Sequence, residues 1–387
     1  MQRLLVRCLN NNYLLSQHEC SDVCTYVISV LDKTLNVQFQ DGTSIVYEEC
    51  WLRDHCRCST CYHADTFQRA HHLLEIPNVN ISKVHYDKDL LRTDKHESIY
   101  KAEFLAEFSY EKWKYSRRLK PIMWRGGEVS DKVKKVHVDE FLNSVNGAKA
   151  VFKSLLDYGV ALIENVDVSV EATEVVCNAL GGVQHTLFGG MWKFSTTQDH
   201  ADTAYTNLPL AVHNDNTYFT EAAGLQILHC LEHSNGSGGE TLLVDGFYGA
   251  TRLKNEHSDD FEFLTNFDVE AEYLEDGHHY RHSAPVIKLD KMKDITQIRF
   301  NVYDRSAMAF SNGEECRSYY RSLRNLSRYY ENPEFQWKFK LRPGLVMVMD
   351  NFRVLHGRTG FNGKRVLCGS YVSRSDWLNR ARSLRLI

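Results

Sequence analysis

Residues 211 to 219 read AVHNDNTYF, so His213 and Asp215 stand one residue apart inside an apolar and aromatic run. In a chain with 18 histidines an H-x-D pair alone says little. A third candidate ligand, His356, lies 143 residues on, where the run GLVMVMDNFRVLHGR ends. Two imidazoles and a carboxylate on one face of an octahedron leave three positions open, which is how non-haem iron(II) oxygenases admit a bidentate co-substrate and dioxygen. Arg365 follows nine residues later in KRVLCGSYV, and its guanidinium can grip a carboxylate bidentately. Thr241 in GGETLLVDG offers a hydroxyl on a strand after a tight turn. Arg365 and Thr241 together suit the far carboxylate of 2-oxoglutarate, with its keto-acid end on the metal. A zinc hydrolase could use the same three ligands, but it needs a general base nearby, and the sequence shows none.

A second cluster carries different chemistry. WLRDHCRCSTCY packs Cys56, Cys58 and Cys61 into six residues. Tetrahedral zinc needs a fourth ligand, and a closed Cys3His site is structural rather than catalytic. His55, His63, His71 and His72 are all close enough in sequence to supply it. Such a site would pin a small domain with little core of its own.

The elements that must hold these residues follow from periodicity. Residues 24 to 52 alternate between apolar and polar positions around Asp-Lys and Asp-Gly turns, which predicts a small antiparallel sheet. Residues 99 to 119 carry Phe104, Leu105 and Phe108 at helical spacing. The polar stretch 120 to 135 reads as a linker, so the expected division is 19–120 and 121–387. Beyond it, VDEFLNSVNGAKAVFKSLLDYG predicts helices that stop at Gly159, and VALIENV predicts a buried strand. VEATEVVCNALGG predicts a further helix. Many short strands then follow, interrupted by helical insertions near 246–266 and 312–332. A large domain of many short strands points to a jelly roll or barrel.

Composition narrows the class. The chain has 387 residues, is 43% hydrophobic, and balances 46 basic against 50 acidic residues with no long block of either sign. Nothing suggests a nucleic-acid footprint, and no apolar run is long enough to span a membrane. Eleven cysteines, three of them clustered, fit metal ligation in a reducing compartment better than a disulfide scaffold. The first 18 residues, with Arg3, Arg7, several Leu and no acid, suit a mitochondrial presequence and matrix location. An untargeted, cytoplasmic polar lead-in is the alternative.

The motifs WLRDHC, AYT…HNDNTYF, LLVDGF and DNFRVLHGR together resemble the γ-butyrobetaine/trimethyllysine hydroxylase family of Fe(II)/2-oxoglutarate dioxygenases, from about residue 24 to the C-terminus. The resemblance implies a double-stranded β-helix catalytic domain beside a small zinc-binding α+β domain, and a homodimer assisted by ascorbate. It assigns iron to His213, Asp215 and His356 and the 2-oxoglutarate arginine to Arg365. It also places His96 as the fourth zinc ligand. The family's substrates carry a trimethylammonium group, which cannot hydrogen-bond and is held by aromatic faces. Phe188, Trp192, Tyr205 and Tyr371 match the positions of that cage, with Phe188 standing where the family pattern has tyrosine. Asp202 occurs where the butyrobetaine enzyme has an amide, and its charge suits the α-ammonium of trimethyllysine. Asn301 is a further candidate contact to the polar end of the substrate, as is Tyr303. The resemblance therefore implies hydroxylation of trimethyllysine by dioxygen at C3, with γ-butyrobetaine as the alternative substrate.

Overall fold

The computed structural model describes residues 27–31, 34–38, 42–75, 96, 98, 100, 102–195, 206–233, 236–275 and 277–387. The expected presequence, residues 1–18, lies outside them. The chain divides into two compact units, Met1–Arg118 and Leu119–Ile387.

In the first unit the expected antiparallel sheet is present as Val27–Leu31, Thr34–Gln38 and Ser44–Glu48, paired in chain order. Alternation sends Leu35, Val37, Ile45 and Tyr47 inward and leaves Val46 exposed. The sheet stops earlier than residue 52, because Glu49–Asp54 turns helical and delivers Leu52 to the same core. The helix expected over 99–119 is two helices, Ala102–Glu107 and Tyr110–Ser116. Ser109 breaks it, its hydroxyl accepting from Lys112 N at 3.2 Å as an N-cap.

The second unit is built on two sheets. The larger runs in the order Lys135–His137, Val160–Glu164, Leu345–Asp350, Leu225–His233, Arg365–Val372, Met191–Phe194. The smaller runs Trp337–Phe339, Thr241–Asp245, Val354–Arg358, Leu210–His213. Every pairing is antiparallel except that of Lys135–His137 with Val160–Glu164. From Leu210 to Asp245, and again from Trp337 to Val372, consecutive strands alternate between the two sheets.

Two of the cores in this unit lie on either face of the larger sheet. In Leu345–Asp350, Val346 and Val348 pack with Phe152, Leu155, Val176 and Trp377 under the helices. Met347 and Met349 point the other way, to Leu228, Leu243, Trp337 and Leu367 between the sheets. A strand buried on both faces reads as an unbroken apolar run, which is why VMVM carries no alternation. Helix Val145–Tyr158 ends at Gly159 with φ +74°, as the sequence suggests.

Residues 120–135 are not a loose linker. Trp124, Val129 and Val133 are buried in the core between the sheets, and Trp124 Nε1 donates to Tyr158 O at 2.8 Å. Lys, Arg and Asp around these three apolar residues mask them in the sequence. The insertions are helical as expected: Gly246–Glu256, Ser258–Asn266 and Gly313–Glu331. The hairpin Asp268–Glu275/His278–Pro285 is absent from the sequence reading, because charged residues and histidines interrupt its apolar positions.

Candidate active site

His213 and His356 are directly paired across neighbouring strands of the smaller sheet. Their ring centroids are 4.5 Å apart. Asp215, two residues past His213, brings Oδ1 to 3.3 Å from His213 Nε2 and 3.6 Å from His356 Nε2. The three potential ligand atoms lie within 4.8 Å of one another. His213 Nδ1 is 2.8 Å from Ala211 O, so Nδ1 carries the proton and Nε2 presents its lone pair. These donors suit a divalent transition metal with an open face.

The carboxylate is held in one pose. Tyr371 Oη donates to Asp215 Oδ2 at 2.8 Å, and Gln226 Nε2 donates to the same oxygen. Oδ2 is thereby occupied, and Oδ1 alone faces the imidazoles. Burial would raise the Asp215 pKa, but the charge that His356 takes up at low pH and the hydrogen bond and charge of His213 outweigh it and hold it at about 2. Burial pushes His356 down to about 4, keeping its ring neutral and able to ligate. Burial also opposes protonation of His213, but the hydrogen bond and charge of Asp215 outweigh it and raise its pKa.

Two buried amides join the turns that carry the ligands. Asn351 accepts from Asp215 N at 2.9 Å and donates to Asp215 O at 3.0 Å. Asn214 Nδ2 donates to Asn351 O at 2.9 Å and to Val354 O at 3.2 Å. Beneath them Arg353 and Asp245 form a buried ion pair, Nη2 to Oδ2 at 2.7 Å and Nε to Oδ1 at 3.1 Å. Arg353 also donates to Asp157 O and Ile122 O, and Asp245 caps helix Gly246–Glu256 through Phe247 N. The motifs LLVDGF and DNFRVLHGR thus meet in one clamp three residues from His356.

The ligands open into a pocket enclosing about 960 Å³ of empty space, part of it open to solvent. Arg365, Thr241, Phe188, Trp192, Asn301 and Tyr371 all line it. Arg365 is buried; burial, with the neighbouring Arg358 cation adding to it, lowers its pKa to about 10. Arg358 lines the same pocket and donates to Leu208 O and Thr206 O. Two guanidiniums in one buried wall favour an anion there. Trp192 lies 5.6 Å from Tyr371 and 5.5 Å from Phe194 between ring centroids. Trp192 packs over Gly369, where a Cβ would fall 2.4 Å from its Cη2. Asn301 Nδ2 donates to Asp304 Oδ2 at 2.7 Å, and Tyr303 Oη accepts from Ala211 N at 2.8 Å. Asp202 and Tyr205 lie outside the described residues. Sequence reasoning missed Gln226, Arg358, Asp304 and the paired Asn214 and Asn351. The one signal for Gln226 is an amide inside the apolar run GLQILHCL, where a buried amide needs a partner.

In the first unit, Cys56, Cys58 and Cys61 place Sγ at 3.4, 3.3 and 3.2 Å from His96 Nε2. The four ligand atoms lie within 4.8 Å of one another, and Arg53 Nη1 donates to Cys61 Sγ at 2.9 Å. Three thiols and an imidazole converging on one point suit tetrahedral zinc. Of the histidines near in sequence, His55 is instead engaged with Trp51 O and Arg69.

Residues 126–371 match the taurine catabolism dioxygenase TauD, TfdA family, and residues 27–106 match the gamma-butyrobetaine hydroxylase-like N-terminal family. The chain belongs to the TauD/TfdA dioxygenase family. The cofactors of this TauD/TfdA dioxygenase are ferrous iron and 2-oxoglutarate. Mitochondrial trimethyllysine dioxygenase of Mus musculus is 37% identical over 358 residues, covering 89% of this chain and 84% of that protein. Trimethyllysine dioxygenase of the yeast Meyerozyma guilliermondii is 32% identical over 385 residues, covering 91% and 94%. Among solved structures, a taurine dioxygenase from Burkholderia xenovorans aligns over 66% of this chain and 90% of its own at 16% identity and TM-score 0.47.

Proposed function

We propose that the protein hydroxylates N6,N6,N6-trimethyllysine at C3, the first step of carnitine biosynthesis. The observation that carries the reading is the convergence of His213, Asp215 and His356 in a pocket walled by aromatic rings. Relatives that share 32–37% of its residues over most of the chain bear the trimethyllysine dioxygenase name. γ-Butyrobetaine is the alternative substrate.

His213, Asp215 and His356 would hold iron(II), which activates dioxygen at the expense of 2-oxoglutarate, giving succinate and carbon dioxide and delivering one oxygen atom to the substrate. The chain's own groups do the positioning. Arg365 and Thr241 would take the far carboxylate of 2-oxoglutarate, with the Arg358 cation beside them. Phe188, Trp192, Tyr205 and Tyr371 would present π faces to the trimethylammonium. Asp202 and Asn301 would take the amino-acid end. Apolar walls at Leu210, Leu228 and Leu367 would help exclude water once substrate fills the pocket.

The remaining parts fit the same scheme. Cys56, Cys58, Cys61 and His96 would hold a structural zinc that orders the first unit, itself read as a zinc-binding α+β domain. The alternation of strands between two sheets is read as a double-stranded β-helix. The enzyme is read as an ascorbate-supported homodimer of the mitochondrial matrix; for the mitochondrial part alone, the name of the Mus musculus relative supports the reading. Among the described residues no helix is long and apolar enough to cross a membrane.

Succinate release with ferrous iron and 2-oxoglutarate, measured with trimethyllysine and γ-butyrobetaine in parallel, tests the reading. Turnover with trimethyllysine alone supports it, and turnover with γ-butyrobetaine alone reverses the choice. Asp202→Asn should erode the preference; if trimethyllysine remains fully preferred, the charge argument fails.

A further inference from the structure

A second cavity, with about 640 Å³ of empty space partly open to solvent, lies behind the wall of the iron pocket. Asn301 lines both. Three guanidiniums line the second cavity: Arg299, which is buried, and Arg305 and Arg324, which are exposed. Among the described residues none of the three has a carboxylate within ion-pair distance. Arg299 donates to Ala284 O at 2.9 Å and to Thr217 O, while its Nε has no partner among the described residues. Arg305 makes a 3.2 Å bond from Nε to Val302 O. The rest of the lining is chiefly apolar, including Val269, Val286, Phe300 and Leu323, with the hydroxyls of Tyr320 and Ser327.

Of these cations only Arg299 is desolvated, and a buried guanidinium without a counter-ion is costly unless an anion joins it, while the two exposed guanidiniums add positive potential at the cavity mouth. Burial, only partly offset by the field of Asp268, lowers the Arg299 pKa to about 10. Cations would hold the head of such a ligand by charge-assisted hydrogen bonds, and the apolar walls would cover a hydrocarbon body.

We propose that this cavity binds a small organic anion, a carboxylate or phosphate monoester on an apolar stem, and that its occupancy alters substrate binding in the neighbouring iron pocket. The connection is one residue thick. Arg299 holds the carbonyl of Thr217, and Thr217 sits between Asn216 and Tyr218, which line the iron pocket. Thr217 Oγ1 also donates at 3.1 Å to Asp304 Oδ2, the oxygen that accepts from Asn301.

The test is calorimetric titration of the intact protein, with ferrous iron and 2-oxoglutarate present under anaerobic conditions so that the iron pocket is filled. Octanoate, octyl phosphate and inorganic phosphate are the probes. Saturable binding of either octyl anion is expected, weakened by about tenfold or more in the Arg305→Gln/Arg324→Gln double variant, whose changed residues are exposed. The tighter of the two octyl anions identifies the head group. Absence of saturable binding, or equal binding by the double variant, overturns the site. Inorganic phosphate binding as tightly as the octyl anions overturns the role of the apolar walls. Occupancy should change the KM for the amine substrate about fivefold or more in the wild type and not in the double variant. A KM that stays constant while octanoate binds overturns the coupling. The calorimetric result stands whether or not trimethyllysine is the substrate.

Discussion

At the scale of single residues, the site depends on which oxygen of Asp215 is left free. Tyr371 and Gln226 both donate to Oδ2, so the carboxylate can offer only Oδ1 to a metal. Removing either donor should loosen the ligand without removing it. Gln226→Leu and Tyr371→Phe should each weaken iron(II) affinity by roughly 10- to 100-fold. Equilibrium dialysis of the metal would show it, and unchanged affinity in both variants would mean that Oδ2 needs no anchoring. Tyr371→Phe keeps the aromatic ring, so loss of iron affinity in that variant separates the hydroxyl's work from any cage role. The cysteine cluster makes a prediction of its own. Burial works against the Cys58 thiolate, but hydrogen bonds from Thr60, Cys61 and Cys56 outweigh it and bring its pKa from 9.0 to about 7. A zinc ligand must shed its proton, and a lowered pKa means the thiolate is ready above pH 7. Burial holds the neighbouring Cys61 thiol above its ordinary value, so zinc affinity should fall with pH already from the alkaline side and more steeply below about 7, where Cys58 also protonates, measurable by competition with a chromophoric chelator.

At the scale of elements, the clamp between LLVDGF and DNFRVLHGR sets where His356 stands. Arg353→Met leaves Asp245 buried and unpaired, which should cost about 3–5 kcal/mol of stability by denaturant titration. Asn351→Ala breaks three hydrogen bonds to Asp215 and Ala223. It should cost about 1–3 kcal/mol and lower iron affinity as well. A stability loss with iron binding intact would show that the amide supports the fold without placing Asp215. Much of this layer was legible beforehand. The three iron ligands could be picked out because each lies beside an apolar strand, and the strands GLQILHCLEH, LLVDG, LVMVMD and VLCGSYV were marked by apolar runs. The helix over 99–119 misled because the helical spacing of Phe104, Leu105 and Phe108 ends just before Ser109, which caps a second helix, and that spacing does not mark the stop. The segment 120–135 misled because its buried Trp124, Val129 and Val133 are outnumbered by charges. The pairing of Asn214 with Asn351 spans more than 130 residues, and no local pattern announces a contact of that range.

For the whole molecule, the two units answer to different metals under the proposed scheme. Stripping zinc with a strong chelator should unfold Met1–Arg118, whose core is a handful of side chains around Leu35, Tyr47 and Leu105. The larger unit, with cores on both faces of its main sheet, should keep its structure through the same treatment when ferrous iron is restored afterwards. Hydrogen exchange resolved by segment would separate the two responses, and simultaneous loss of protection in both units would refute their independence.

Among the described residues the strand Leu210–His213 is the last in its sheet, and it meets one ladder neighbour through two residue pairs, one of them His213 with His356. Its outer margin is blunted by Tyr303, whose phenol oxygen takes the Ala211 amide. A ferrous ion bridging the two imidazoles would also be a fastener for that margin, tying down a strand that backbone bonding alone secures weakly. Amides 210–213 should then exchange faster in iron-starved protein than in loaded protein, with Leu345–Asp350 indifferent to the change. Scarcity of the metal would thus be felt as a frayed border as well as a missing reagent.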